Sequence, residues 1–406
     1  MRTPKPGALA PLWPDAAGPA APGGAQHAAR LWPAVPGHGR GAVWPRDPRL
    51  DVGLFAAISA EQGAGPVPGG GQRAPGAGRA HGGHVGAFGG RDADGAPRFD
   101  QPVAPGGYLW WYVDALSDDG QHGLSIIAFV GSVFSPYYAL ARGLNGGVAD
   151  PENFCAINVA LYGAQGRRWS MTERGHKHVQ RSQNRFTVGP SQLHWNGQQL
   201  VIYIDEVNVP IPMRVRGRVT VQPVGLSPFV TGLDADARHR WGPIAPCSRV
   251  TVEMQNPQSR WSGHAYLDSN EGDEPVDRAF KEWDWARAEM ANGDTTVIYD
   301  VRPRHGPDRV VAQRFAPSGQ TSAFTAPPRQ TLAASKWRIG RTMRSEGGAG
   351  ASVAQTLEDT PFYVRSVLRA DLLGEQVTAV HETLSIPRLV SLPVRLMLPW
   401  RMPRRG

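Results

Sequence analysis

Ser262, His264, Tyr266 and Asp268 are four groups that donate, accept or titrate, spaced two residues apart. In an extended chain that spacing puts all four on one face, because side chains alternate along a strand. Trp261, Gly263, Ala265 and Leu267 fall on the other face and read as packing. The run leads into a turn carrying Glu271, Asp273 and Glu274. Upstream, in His239-Arg-Trp-Gly-Pro243, an extended chain puts His239 and Trp241 on a common face. A carboxylic acid, an imidazole, an indole and a phenol can therefore converge in one cavity, a set suited to acid–base chemistry. A solvated strand face ending in a turn carboxylate has the same pattern, so spacing alone leaves both readings open.

At these residues a resemblance enters. His239-Arg-Trp and Tyr266-Leu-Asp-Ser-Asn-x-Gly-x-Glu-Pro275 resemble the signature segments of the acyclic carotenoid 1,2-hydratases, or hydroxyneurosporene synthases. The Tyr108-Leu-Trp-Trp-Tyr-Val-Asp-Ala and Met397-Leu-Pro-Trp-Arg-Met-Pro-Arg segments are similar to that family too. The similarity is dense over residues 99–316 and looser at the C-terminus. It implies addition of water to the terminal C1=C2 double bond of an acyclic carotenoid of the neurosporene or lycopene type. The product is a 1-hydroxy-1,2-dihydro carotenoid. No redox change occurs, so neither a nicotinamide nor a flavin cofactor is expected, and no metal.

An isolated alkene is a poor base, so the step needs a strong local acid. The resemblance assigns that role to Asp268. Burial and like charges keep a carboxyl protonated near neutrality, and Glu271, Asp273 and Glu274 are the expected neighbours. The tertiary cation at C1 needs aromatic faces, expected from Trp241 and Tyr266. One water must be held and deprotonated; His239 is expected either to do this or to orient Asp268. Arg240 is expected to face away. Trp110, Trp111 and Tyr112 are candidates for the cavity wall. His176 and His178 share a strand face in this reading, without further ligands at metal-site spacing. Two other functions compete. One is a lipocalin-like carrier of an apolar ligand without chemistry. The other is a glycosidase using two of Asp268, Glu271 and Glu274, which needs an open polar cleft.

The elements that must position these groups read as strands. Gly 49 and Pro 37 suit an all-β chain with many turns. The expected fold is two consecutive lipocalin-like antiparallel β-barrel or sandwich modules, residues 98–246 and 247–385, after a disordered Gly/Ala/Pro-rich segment, 1–97. The run Trp283-Asp-Trp-Ala-Arg alternates and reads as a strand. Barrels of this size hold one small apolar ligand. Residues 386–406 form a basic, apolar tail whose four prolines forbid a continuous helix. It suits an anionic membrane surface, or else it folds onto the barrel.

The net charge is +8, but residues 1–100 carry +3, residues 386–406 carry +5, and the body between is neutral. No nucleic-acid partner is therefore expected. Cys155 and Cys247 are too isolated for a metal ribbon and read as free thiols. No apolar run is long enough to span a bilayer. The chain reads as cytoplasmic and peripheral on the inner, photosynthetic membrane. Its expected partners are the acyclic carotenoid, water, the membrane surface and other carotenoid-pathway enzymes.

Overall fold

The computed structural model describes residues 89–163, 167–347 and 350–405. The disorder expected for residues 1–97 thus falls outside the described residues as far as 88. The chain runs through β1 (Tyr108–Ser117), β2 (His122–Val130), α1 (Pro136–Leu144), β3 (Cys155–Gly163), β4 (Arg168–Arg174), β5 (Val179–Ser182), β6 (Arg185–Val188), β7 (Ser191–Trp195), β8 (Leu200–Val207), β9 (Arg214–Pro223), β10 (Thr231–Gly232), β11 (His239–Asn256) and β12 (Gln258–Gly272). A short α2 (Val276–Ala279) leads to β13 (Phe280–Glu289), β14 (Thr295–Pro303), β15 (Arg309–Phe315), β16 (Thr321–Ala323), β17 (Arg329–Leu332), β18 (Arg341–Arg344), β19 (Ser352–Asp359), β20 (Tyr363–Leu372) and β21 (Glu375–Ser385). Helices α3 (Ile386–Leu389) and α4 (Leu392–Arg401) and the terminal β22 (Arg404–Arg405) follow.

The all-β expectation holds, as two antiparallel sheets in succession. The first has the order β4-β3-β2-β1-β12-β11-β9-β8-β7-β6-β5, with β10 on β11 and β22 parallel to β4. The second has the order β16-β15-β14-β13-β21-β20-β19, and β17 pairs with β18 apart from both. The sheets do not change at residue 247. Ser248 to Met254 still pair with β9 and β12, and the second sheet begins only after Gly272. Pro246, the expected module end, sits with Pro243 where the β11–β12 register shifts, between Pro243 and Ser248. A bulge is where an interior strand tolerates proline.

β1 lies at the centre and is buried on both faces. Leu109, Trp111, Val113 and Ala115 join the core inside the first sheet, with Phe186, Val219 and Leu267. Tyr108, Trp110 and Tyr112 point the other way, into a second core shared with Trp283, Trp285 and Tyr299 of the second sheet. That second core holds the candidate site.

Order begins earlier than residue 98. Arg91, almost fully buried, donates from Nη1 to the carbonyls of Ser227 (2.8 Å) and Pro243 (2.9 Å) and from Nη2 to that of Gly242. Gly90 accepts the Trp111 indole N–H at 2.7 Å. We expect deletion of residues 1–88 to leave the denaturant midpoint unchanged. Deletion of 1–95 should lower stability by roughly 1–3 kcal/mol for each buried carbonyl left without a partner. Equal midpoints for the two truncations would show that Arg91 carries no weight.

Two helical features escaped the sequence reading. In α1, Pro136 starts the helix and the Ser135 hydroxyl accepts the Tyr138 N–H. In the tail no continuous helix forms, as expected, but two short ones do: Pro387 and Pro393 occupy first turns, where no N–H is needed, and Pro399 lies inside α4. Val394, Leu398 and Met402 pack into the second core, folding the tail onto the β body.

Candidate active site

Three neighbouring strands build one wall of the site. The register sets Tyr112 opposite Asp268 on β12, with Pro243 of β11 on its other side. One row along, Trp110, Asn270 and Trp241 stand side by side, and on the opposite flank Asp114 faces Tyr266. Directly opposed residues in antiparallel pairs share a face. All of these side chains therefore look toward the second sheet, as the alternation in the sequence requires.

Asp268 is 3% exposed. Its Oδ2 accepts two hydrogen bonds, from the Trp241 indole N–H at 2.8 Å and the Tyr266 hydroxyl at 3.0 Å. Among the described residues its Oδ1 has no hydrogen-bond partner, and the residue forms part of a cavity wall. Burial pushes the carboxyl up to about 8; the Trp241 and Tyr266 donors pull it back, and the charges of Glu382 and Asp114 push it further up. A carboxyl raised this far favours its neutral form near neutrality. With both donors on Oδ2, the proton of the neutral form belongs on Oδ1.

The cavity, about 630 Å³, lies between the sheets. Trp110, Tyr112 and Phe129 of the first sheet and Trp283, Trp285 and Tyr299 of the second surround Asp268 with aromatic rings. Beyond them Tyr112, Glu382 and Arg365 form a polar cluster. The Tyr112 hydroxyl lies 2.7 Å from Glu382 Oε1 and 2.9 Å from Asp114 Oδ2, and Arg365 bonds both Tyr112 and Glu382. Glu358 also lines the cavity, and burial raises its carboxyl. Arg401 and Arg365 pull it back, and it accepts from the Tyr162 hydroxyl at 3.1 Å.

Of the four residues singled out in the sequence, the structure brings three together. Asp268, Trp241 and Tyr266 form one hydrogen-bonded group. Trp241 and Tyr266 stand behind the acid, fully buried, and do not line the cavity. Their geometry makes them donors to Asp268 rather than a cage for a cation. His239 is not in the group. Its Nδ1 meets the Tyr108 hydroxyl at 2.9 Å, its Nε2 is 3.7 Å from Glu274 Oε1, and its ring packs on Phe280 and Tyr108. Burial holds its pKa down, against the nearby Asp234 and Glu274. It neither lines the cavity nor touches Asp268; Tyr108 in turn stacks on the cavity residue Trp110 at 4.8 Å.

The like charges also differ from expectation. Glu271 and Asp273 pair with Arg240, which faces away as expected. The carboxylates that raise Asp268 are Glu382 and Asp114, distant in sequence. Trp110 and Tyr112 line the cavity, but Trp111 points into the other core. Trp283, Trp285 and Tyr299 were not singled out, although the alternation Trp283-Asp-Trp285 already set two indoles on one strand face. His176 and His178 lie on an exposed single turn rather than a strand, and His176 meets Asp150.

If Asp268 delivers a proton, the rate should be flat with pH while the carboxyl is protonated. It should then fall about tenfold per pH unit above about 8. A profile that instead rises with pH through this range excludes Asp268 as the acid.

Comparison with known proteins adds the following. The family model described as carotenoid hydratase CrtC matches residues 126–406. The chain is 64% identical to an acyclic carotenoid 1,2-hydratase of Rubrivivax gelatinosus, over 100% of both chains. It is 53% identical to one of Thiocapsa roseopersicina, over 93% of each. It is 34% identical to one of Cereibacter sphaeroides, over 69% of this chain and 98% of that one.

Proposed function

The chain belongs to the carotenoid hydratase CrtC family, and from that premise we propose that it adds water across the terminal C1=C2 bond of an acyclic carotenoid, with Asp268 as the acid. The observation that carries the reading is a buried carboxyl, pushed up to about 8, in the wall of an aromatic cavity. Asp268 Oδ1 gives its proton to C2, and the π electrons of C1=C2 form the new C–H bond. The positive charge left at C1 lies among the faces of rings such as Trp285 and Tyr299. Each such contact contributes roughly 0.5–2 kcal/mol once desolvated. Trp241 and Tyr266 hold the newly formed carboxylate through their two hydrogen bonds. Water adds at C1 and its surplus proton returns to Asp268, which closes the cycle without a second base. His239 acts at a distance, by fixing Tyr108 and through it Trp110.

A carrier needs no buried acid, because burying a carboxyl costs stability and binds nothing apolar. The relatives' activity points the same way. In this reading the protein works at the cytoplasmic face of the photosynthetic membrane, beside other carotenoid-pathway enzymes. The support is the apolar substrate and the basic tail. Among the described residues no helix is long and apolar enough to cross a membrane. The test is turnover of lycopene or neurosporene in deuterated water. The expected product is heavier by one water and carries deuterium at C2. Binding without any such product leaves the carrier reading.

A further inference from the structure

The cavity lining reaches the surface at several exposed apolar side chains. Trp337, Met397 and Trp400 line the cavity and are also 48%, 46% and 72% exposed, so the mouth lies where they stand. Leu392 and Leu396 extend the same stripe of α4 as Trp400, four residues apart, and both are exposed. Leu140 and Leu144 of α1, which packs against α4, are exposed as well. Meanwhile Val394 and Leu398 on the opposite side of α4 are buried in the protein. A helix apolar on both sides, next to a second exposed apolar stripe, marks a contact surface.

Charge identifies what it contacts. Lys336 and Arg338 flank Trp337 and Arg395 sits beside the Leu392–Leu396 stripe, three exposed cations against one partly exposed carboxylate, Asp359, which accepts the Lys336 backbone N–H. No acidic residue occurs from 386 to 406. Arg388 donates to the carbonyls of Trp337 and Arg338 at 2.8 Å each, tying that loop to α3 beside the mouth. Tryptophans among aliphatic side chains and cations match the headgroup region of an anionic bilayer. Two tail arginines already have partners within the protein, Arg401 over the Trp169 ring in the cavity lining and Arg404 with Glu173. A tether made only of tail charge therefore does not describe this face.

We propose that the rim of the cavity is a bilayer-docking surface. Trp337, Leu392, Leu396 and Trp400 enter the headgroup region of an anionic membrane, so that the mouth opens onto lipid. A chain end of the substrate then passes from the bilayer to Asp268 without crossing water, while the rest of the polyene stays in lipid. This rests on the carotenoid reading and adds the route and the surface.

The test uses the full chain, with Leu392→Glu/Leu396→Glu and, separately, Leu144→Glu; none of these residues lines the cavity. Vesicles of phosphatidylcholine with phosphatidylglycerol carry lycopene, and a second assay presents lycopene in detergent micelles. We expect the double variant to lose about tenfold or more in vesicle co-sedimentation and in turnover of vesicle-held lycopene, because each leucine removes its buried apolar area from the contact. Micellar turnover should stay at the wild-type rate. Leu144→Glu should do the same more weakly. Wild-type binding should survive high salt in part, since apolar insertion is unscreened. Unchanged vesicle binding and turnover in the double variant overturns the proposal. So does an equal loss in micelles and vesicles, which assigns the face to the fold. Equal wild-type binding to phosphatidylcholine alone overturns its anionic part. Absence of hydration in every assay strikes the proposed activity instead, while co-sedimentation still reads the docking.

Discussion

Asp268→Asn is expected to lose hydration by orders of magnitude and, at the same time, to become more stable at neutral pH. The amide oxygen can still accept from Trp241 and Tyr266, so the shape of the site survives without its proton. The stability change follows from linkage. In the unfolded chain this carboxyl ionises near 3.8, and in the folded protein only near 8. Between those values the native state holds the extra proton, so this group's contribution to stability falls as pH rises from about 4 to about 8. An asparagine does not titrate and escapes that loss. The variant should therefore match wild type near pH 4 and exceed it by a few kcal/mol at most near pH 7–8. Asp268→Glu keeps the acid but moves it, and misplacement by about 1 Å can cost roughly a hundredfold. Glu358→Gln is the contrasting variant and should retain most activity. Product analysis with unfolding curves at two pH values checks all of this. An Asp268→Asn protein that hydrates at the wild-type rate removes the mechanism.

Arg287→Met should be the most destabilising change near the site. Arg287 of β13 reaches from the second sheet to Asp114 of the first, with Nε 2.6 Å from Oδ1, and both side chains are buried. Removing one partner of a buried pair leaves a charge without compensation and costs roughly 3–5 kcal/mol. Asp114 also meets the Tyr112 hydroxyl, and Arg287 lies over the Tyr266 ring, 5.9 Å from its centroid. Activity should therefore fall along with the unfolding midpoint. Arg287→Met with Asp114→Asn removes both charges and should recover much of the stability. A double variant no better than the single one would show that the cost is packing and not charge.

Much of the site was legible because a strand's alternation is local. Ser262 to Asp268 needed only period two to put Tyr266 and Asp268 on one face, and Trp283 and Trp285 were paired by the same rule. The module boundary read after Pro246 went wrong because tertiary structure accommodates proline at a bulge inside β11, whereas the tail prolines do keep α3 and α4 from joining into one helix.

What the sequence by itself determined is the all-β architecture and the common face of Tyr266 and Asp268. Both depend on neighbours a few residues apart, within reach of backbone geometry alone. Only the tertiary structure decided that Trp241 bonds the acid while His239 stands off behind Tyr108, although the two share a face. Strand register and the packing of the second sheet set those distances. It also decided which carboxylates add to the effect of burial on Asp268. Glu271 and Asp273, close in sequence, are neutralised by Arg240 on the outer face. Asp114 and Glu382, far away in the chain, share the low-dielectric space between the sheets, where charges are felt most strongly.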